Sequence, residues 1–138
     1  MTITSCSEKL IIGLIPKWLQ EFEKEAGYTK RGTRIIYVSG PYSKGDTAEN
    51  IRNACLAGNE ILKRGFTPFV PHLIHLWHLI TPKPYQDWLD IDLALISRMD
   101  AVLRIPGESK GADNEVALAL RLGIPVFYSL DEIQNIAL

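Results

Sequence analysis

The sequence predicts an α/β fold: a three-layer, flavodoxin-like or Rossmann-like parallel sheet of four to five strands with helices on both faces. Three observations predict it. Short β-branched runs alternate along the chain with longer stretches of helical period, which is the pattern of strand–helix–strand units. The first such run, Arg34-Ile35-Ile36-Tyr37-Val38-Ser39, is apolar nearly throughout, as a central parallel strand covered on both faces must be. The junctions between runs carry glycine, proline, serine and lysine, which suit tight strand-to-helix turns.

Taken in order, residues 1–33 read as a helical arm and linker. Leu10, Ile11, Leu14, Ile15, Trp18, Leu19 and Phe22 recur at helical spacing, and Pro16 interrupts them. Residues 34–138 read as the α/β domain. After the first strand, residues 40–45 form a loop. Asp46-Thr47-Ala48-Glu49 is a capping-box-like start for a helix that runs to about Arg64. A short second strand spans Phe66 to Val70. Pro71 opens a segment holding His72, His75, Trp77 and His78, and Pro82-Lys83-Pro84 ends it. A helix is expected from Trp88 to Arg98, a third strand from Asp100 to Ile105, and a loop from Pro106 to Lys110. A helix from Gly111 to Leu122, a strand from Ile124 to Tyr128 and a last helix from Asp131 to Ala137 complete the domain.

The totals narrow the function. A chain of 138 residues with 46% apolar residues suffices for one cored domain. Fifteen basic residues against sixteen acidic ones, net charge −1, argue against a duplex nucleic-acid partner. The two cysteines, Cys6 and Cys55, show no ligand spacing, so reduced thiols in a cytoplasmic protein are expected. The sequence shows no cleavable signal and no run near the ~20 apolar residues that span a bilayer, so no membrane association is expected.

Two acids sit where carboxylates are uncommon. Asp92 shares a helix face with Trp88, Leu89, Leu95 and Ile96, and a carboxyl in an apolar stripe should have a raised pKa, which suits a proton donor. Glu115 is expected in the first turn of its helix, where the dipole should keep it ionised, which suits a nucleophile. In parallel sheets ligands bind beyond the carboxyl ends of the strands, where strand order reverses. The loop Ser39-Gly40-Pro41-Tyr42-Ser43-Lys44 and the helix start Ser109-Lys110-Gly111 are therefore the candidate substrate-binding segments, with exposed amides able to hold an anion. Phe69, Trp77, His78 and Trp88 are candidates to stack on a planar ring.

These segments resemble the nucleoside 2-deoxyribosyltransferase-like family, which includes deoxynucleoside 5′-monophosphate N-glycosidases. The resemblance covers about residues 34 to 128. It rests on Ile36-Tyr37-Val38-Ser39-Gly40, on Asp92 ahead of the third strand, on Ser109-Lys110-Gly111-Ala112-Asp113-Asn114-Glu115, and on Ala117-Leu118-Ala119 through Gly123-Ile124-Pro125-Val126. It implies cleavage or transfer of the N-glycosidic bond of a (deoxy)nucleoside or its 5′-monophosphate by a retaining mechanism. Glu115 would attack the anomeric carbon, Asp92 would handle the proton, and Tyr37 would orient the glutamate. Ser109 matches a serine that contacts the 5′-phosphate in monophosphate-cleaving members. No metal or organic cofactor is implied, and a homo-oligomer, a dimer or larger, is. The loop Pro41-Tyr42-Ser43-Lys44 departs from the family pattern, and the arm has no counterpart in it.

Two rival readings stand beside this one. A nucleotide-sensing module without catalysis would bind ligand but release no base. A metal hydrolase would use His72, His75 and His78 with Asp87, Asp90 and Asp92. Steps of three residues on a helix fan the histidines apart, which weighs against a shared metal.

Overall fold

Strand β1, Ile35–Ser39, is the axis of the domain, and residues Ile36 to Ser39 are fully buried. The structure, a computed structural model, describes residues 34–133 together with Lys17 and Glu21. The expected helical arm over residues 1–33 and the end of the last expected helix lie outside the described residues.

Helix α1 spans Thr47–Lys63, strand β2 Thr67–Phe69, a 3-10 turn Pro71–Ile74, and helix α2 His75–Ile80. Helix α3 follows over Tyr85–Ile96, β3 over Ala101–Arg104, α4 over Lys110–Arg121, β4 over Val126–Phe127, and a short α5 over Leu130–Ile133. The sheet has four strands among the described residues, in the order β2-β1-β3-β4, and every pairing is parallel. The register sets Tyr37 beside Phe69 on one side and Val102 on the other, and Ser39 beside Arg104.

The two-residue period of a strand divides β1 between two cores. Ile36 and Val38, with Ala101 and Leu103, face Ala54, Ala57 and Ile61 of α1 and Ile133 of α5. Tyr37 and Val102 face Ile96 of α3 and Ala119 of α4. Helices thus cover both faces, as a parallel sheet requires. No helix among the described residues is long and apolar enough to cross a membrane.

Several boundaries differ from the sequence reading for physical reasons. Asp46 caps α1 by accepting from the Glu49 N–H at 3.1 Å, but Glu49 turns outward toward Arg52, so only half of a capping box forms. Helix α3 begins at Tyr85 because Pro84 occupies its N-cap; the Pro-Lys-Pro run starts the helix instead of separating it from a later one. Helix α4 begins at Lys110 because the Ser109 hydroxyl accepts from the Ala112 N–H at 3.2 Å, making Ser109 the cap. Strand β4 keeps only two residues, since β3 offers it just Val102 and Leu103 as partners.

From β1 the chain moves to one side to build β2, then returns across the sheet to build β3 and β4 on the other. Order therefore reverses between β1 and β3, and a crevice opens beyond their carboxyl ends. Gly40 is needed there: a Cβ at this position would collide with the Ile105 side chain just past β3.

Candidate active site

Glu115 sits in the second turn of α4, only 7% exposed, with its carboxyl directed at β1. This corrects the expectation of a first-turn residue; the first-turn acid is Asp113, which pairs with Arg104 at 3.3 Å. The Tyr37 hydroxyl donates to Oε1 of Glu115 at 3.0 Å and the Ser39 hydroxyl to Oε2 at 2.5 Å. Both donors project from the same face of β1 because they are two residues apart. Each carboxyl oxygen is thus held by one hydroxyl. Asp92, half-buried on α3, acts on the same groups: its charge raises Tyr37 and Glu115, and its interaction with the Tyr37 hydroxyl lowers its own pKa. Tyr37 therefore interacts electrostatically with both acids.

The electrostatics differ from the sequence expectation in one respect. Burial raises both carboxyls, Asp92 to about 6 and Glu115 to about 7. The helix N-terminus does not keep Glu115 an ordinary ionised glutamate, because it lies a turn further in and is taken out of water. Hydrogen bonds from Ser39 and Tyr37 and the charge of Arg104 pull the other way but do not overcome burial, to which the Asp92 charge adds. Burial and the two acids push Tyr37 far upward, so its phenol stays protonated and serves as a donor. Two raised acids that interact titrate as a unit, and the pair is singly protonated between its two values.

These groups line a cleft of about 610 Å³. Among the sequence-predicted residues it brings together Gly40, Tyr42, Ser43, Lys44, Trp88, Asp92, Ser109, Gly111 and Glu115. Tyr37 and Ser39 lie beneath it and reach it through Glu115. Ser39 is fully buried and already bonded to the glutamate, so it supports an acid instead of contacting ligand. Pro41 does not line the cleft; its carbonyl accepts from His72 Nε2 at 2.9 Å and its ring packs under Gly107. The loop's carbonyls at Tyr42 and Lys44 each accept from Asn50 Nδ2 at 2.8 Å, which ties the loop to α1. Lys44 bridges the cleft's two loops through Glu108 at 2.5 Å.

The aromatic residues divide. Phe69 stacks on Tyr37 in the core, with centroids 5.8 Å apart, and Trp77 packs edge-on against Trp88 at 5.1 Å; neither lines the cleft. His78 and Trp88 do. Among the described residues no group of three histidine, cysteine or acidic side chains is arranged to hold a metal. The three histidines instead have separate partners: His72 the Pro41 carbonyl, His75 the Tyr42 hydroxyl, and His78 the Trp88 indole.

Sequence reading missed Arg104, whose side chain is 11% exposed and donates to the Ile105 and Gly107 carbonyls as well as pairing with Asp113. The signal was available: Arg104 lies two residues after Val102, on the Tyr37 side of the sheet. It also missed Lys83 and Tyr85 at the cleft, which depend on how α2 and α3 meet, whereas Lys110, named with Ser109 and Gly111, does line it.

A switch-point cleft lined by Asp92 and by a buried, hydroxyl-held Glu115 places the chain in a class: a three-layer, all-parallel α/β domain with a cleft beyond its strands' carboxyl ends. The chain belongs to the family described as a domain of unknown function, DUF7768, whose model matches residues 34–129. Its fold is similar to that of a 2-deoxyribosyltransferase from the psychrotolerant bacterium Bacillus psychrosaccharolyticus, with 18% identity, a TM-score of 0.52, and coverage of 74% of this chain and 91% of that one. No curated protein sequence matches the chain.

Proposed function

We propose that this protein cleaves or transfers the N-glycosidic bond of a (deoxy)nucleoside or its 5′-monophosphate, with Glu115 as nucleophile in a retaining mechanism. The observation that carries the reading is a pair of raised carboxyls, Glu115 and Asp92, that line one cleft and both interact with Tyr37. A retaining mechanism needs its two carboxyls about 5 to 5.5 Å apart, and two acids that both interact with one phenol suit that requirement. The likeness in fold to a 2-deoxyribosyltransferase supports it.

In the first step the bond between the anomeric carbon and the base nitrogen breaks, and a bond from that carbon to a Glu115 oxygen forms. Its electron pair leaves with the base, which takes the proton held by Asp92. Tyr37 and Ser39 keep both glutamate oxygens aligned, so that little reorganisation precedes attack. Water or a second base then attacks the same carbon, and Asp92 takes up the proton. Ser109, Lys110 and Gly111 at the start of α4 would receive the 5′ end, with the helix dipole favouring a phosphate there. The reading includes a cytoplasmic protein acting as a homo-oligomer.

The test is chromatography of a panel of nucleosides and 5′-monophosphates after incubation with the wild-type protein. Free base is expected from at least one of them. Binding without any release would instead favour the nucleotide-sensing module.

A further inference from the structure

The cleft wall formed by α2, the turn at residues 81–84 and the start of α3 holds a histidine whose tautomer is set by its neighbour. An indole N–H can only donate. Trp88 Nε1 donates to His78 Nδ1 at 2.8 Å, so Nδ1 carries no proton and the neutral ring carries it on Nε2. That nitrogen has no partner among the described residues, and His78 lines the cleft. The ring is braced: Trp88 meets it edge-on at 5.6 Å, and Trp77 meets Trp88 at 5.1 Å. Lys83, which also lines the cleft, holds its ammonium 4.9 Å from the Trp77 centroid and 5.7 Å from that of Trp88. His78 Nε2 and the Lys83 ammonium, which also donates to the Thr81 carbonyl and hydroxyl, are thus the donors on this wall, the Trp88 N–H being taken up by His78.

We propose that His78, oriented by Trp88, determines base specificity by donating from Nε2 to an exocyclic carbonyl of the base, so that oxo-bases are taken in preference to their amino counterparts. The inference rests on the glycosidic reading above and names the base class for it. A hypoxanthine-type or uracil-type base offers an acceptor to this donor. The matching adenine-type or cytosine-type base offers an amine, and two donors facing each other leave both unpaired. Trp88 acts here as a positioning residue through its N–H.

Two measurements on the full chain test this. In ¹⁵N-labelled wild type, the His78 ring should show a protonated Nε2 and a bare Nδ1, and added hypoxanthine should shift that signal while adenine does not. In kinetics, the oxo-over-amino preference in kcat/KM should be about tenfold. It should fall to near unity in His78→Leu and survive in His78→Gln, whose amide N–H lies near the place of Nε2. A proton on Nδ1, equal shifts with the two bases, or an unchanged preference in His78→Leu overturns the proposal. If no compound releases base, the glycosidic reading fails by itself, and the paired titrations with hypoxanthine and adenine still decide what this wall recognises.

Discussion

Glu115→Gln is expected to abolish base release, by at least about 10³-fold in kcat, and at the same time to stabilise the fold above neutrality. The substitution keeps the shape. The amide oxygen accepts from Tyr37 as before, and the amide N–H donates to Ser39, whose hydroxyl turns toward the Ala112 carbonyl 3.5 Å away. What is lost is the charge. In the wild type, burial raises this carboxyl from an ordinary 4.5 to about 7. A carboxyl whose pKa is higher folded than unfolded contributes its stability in full below the unfolded value and loses it as pH rises through the folded one. Between about pH 4.5 and 7 the wild type should therefore lose up to about 3 kcal/mol that the glutamine variant keeps. Thermal unfolding at about pH 4 should hardly separate the two proteins, and at about pH 8 the variant should melt several degrees higher. A variant less stable at high pH would mean that the carboxylate is stabilised by its surroundings, and the account of a destabilised, reactive glutamate would fail. Asp92, raised by burial to about 6, adds to the same trend with the same sign.

Asp92→Asn should reduce release of ordinary bases by about 10² to 10⁴-fold, the range for losing a general acid. The loss should depend on the leaving group. A base that departs readily as an anion needs little protonation, so the variant should approach wild-type rates with a nucleoside bearing such a base. The productive form has Glu115 ionised and Asp92 protonated, which is the minority arrangement of the singly protonated pair because Glu115 holds its proton more tightly. The wild-type rate should therefore peak between the pair's two values, about 6 and about 7, and fall on either side. The variant should lose the alkaline limb, since no acid remains to deprotonate. Equal losses for good and poor leaving groups would instead give Asp92 a purely structural role.

How much of this was legible in the sequence depends on the range of the forces involved. The run Ile35 to Val38 announced a buried central strand because covering both faces leaves little choice of residue type. The helix–strand alternation that followed made a parallel sheet the economical solution. Asp92 stood out because its helical neighbours are apolar, and its raised pKa has that cause. Glu115 was legible as a site and misread in its environment. Helix position suggested ionisation, whereas burial depends on α4 lying over Tyr37 and Ser39, which are 78 and 76 residues away. Phe69 and Trp88 looked alike as aromatic surfaces, and only packing makes one a partner for Tyr37 and the other the holder of His78. Arg104 was readable from strand period alone, had its register been followed to the end of β3.

The most direct measurement is the mass of the protein incubated with a nucleotide whose sugar bears fluorine on the carbon next to the anomeric centre. The electron-withdrawing atom slows hydrolysis of a glycosyl ester more than it slows its formation, so a covalent intermediate should accumulate. Wild-type protein should gain the mass of the sugar phosphate without the base, and peptide sequencing should place it on Glu115. A modified residue other than Glu115, or rapid turnover of the analogue with no adduct and inversion at the anomeric carbon, would contradict the assignment of Glu115 as nucleophile.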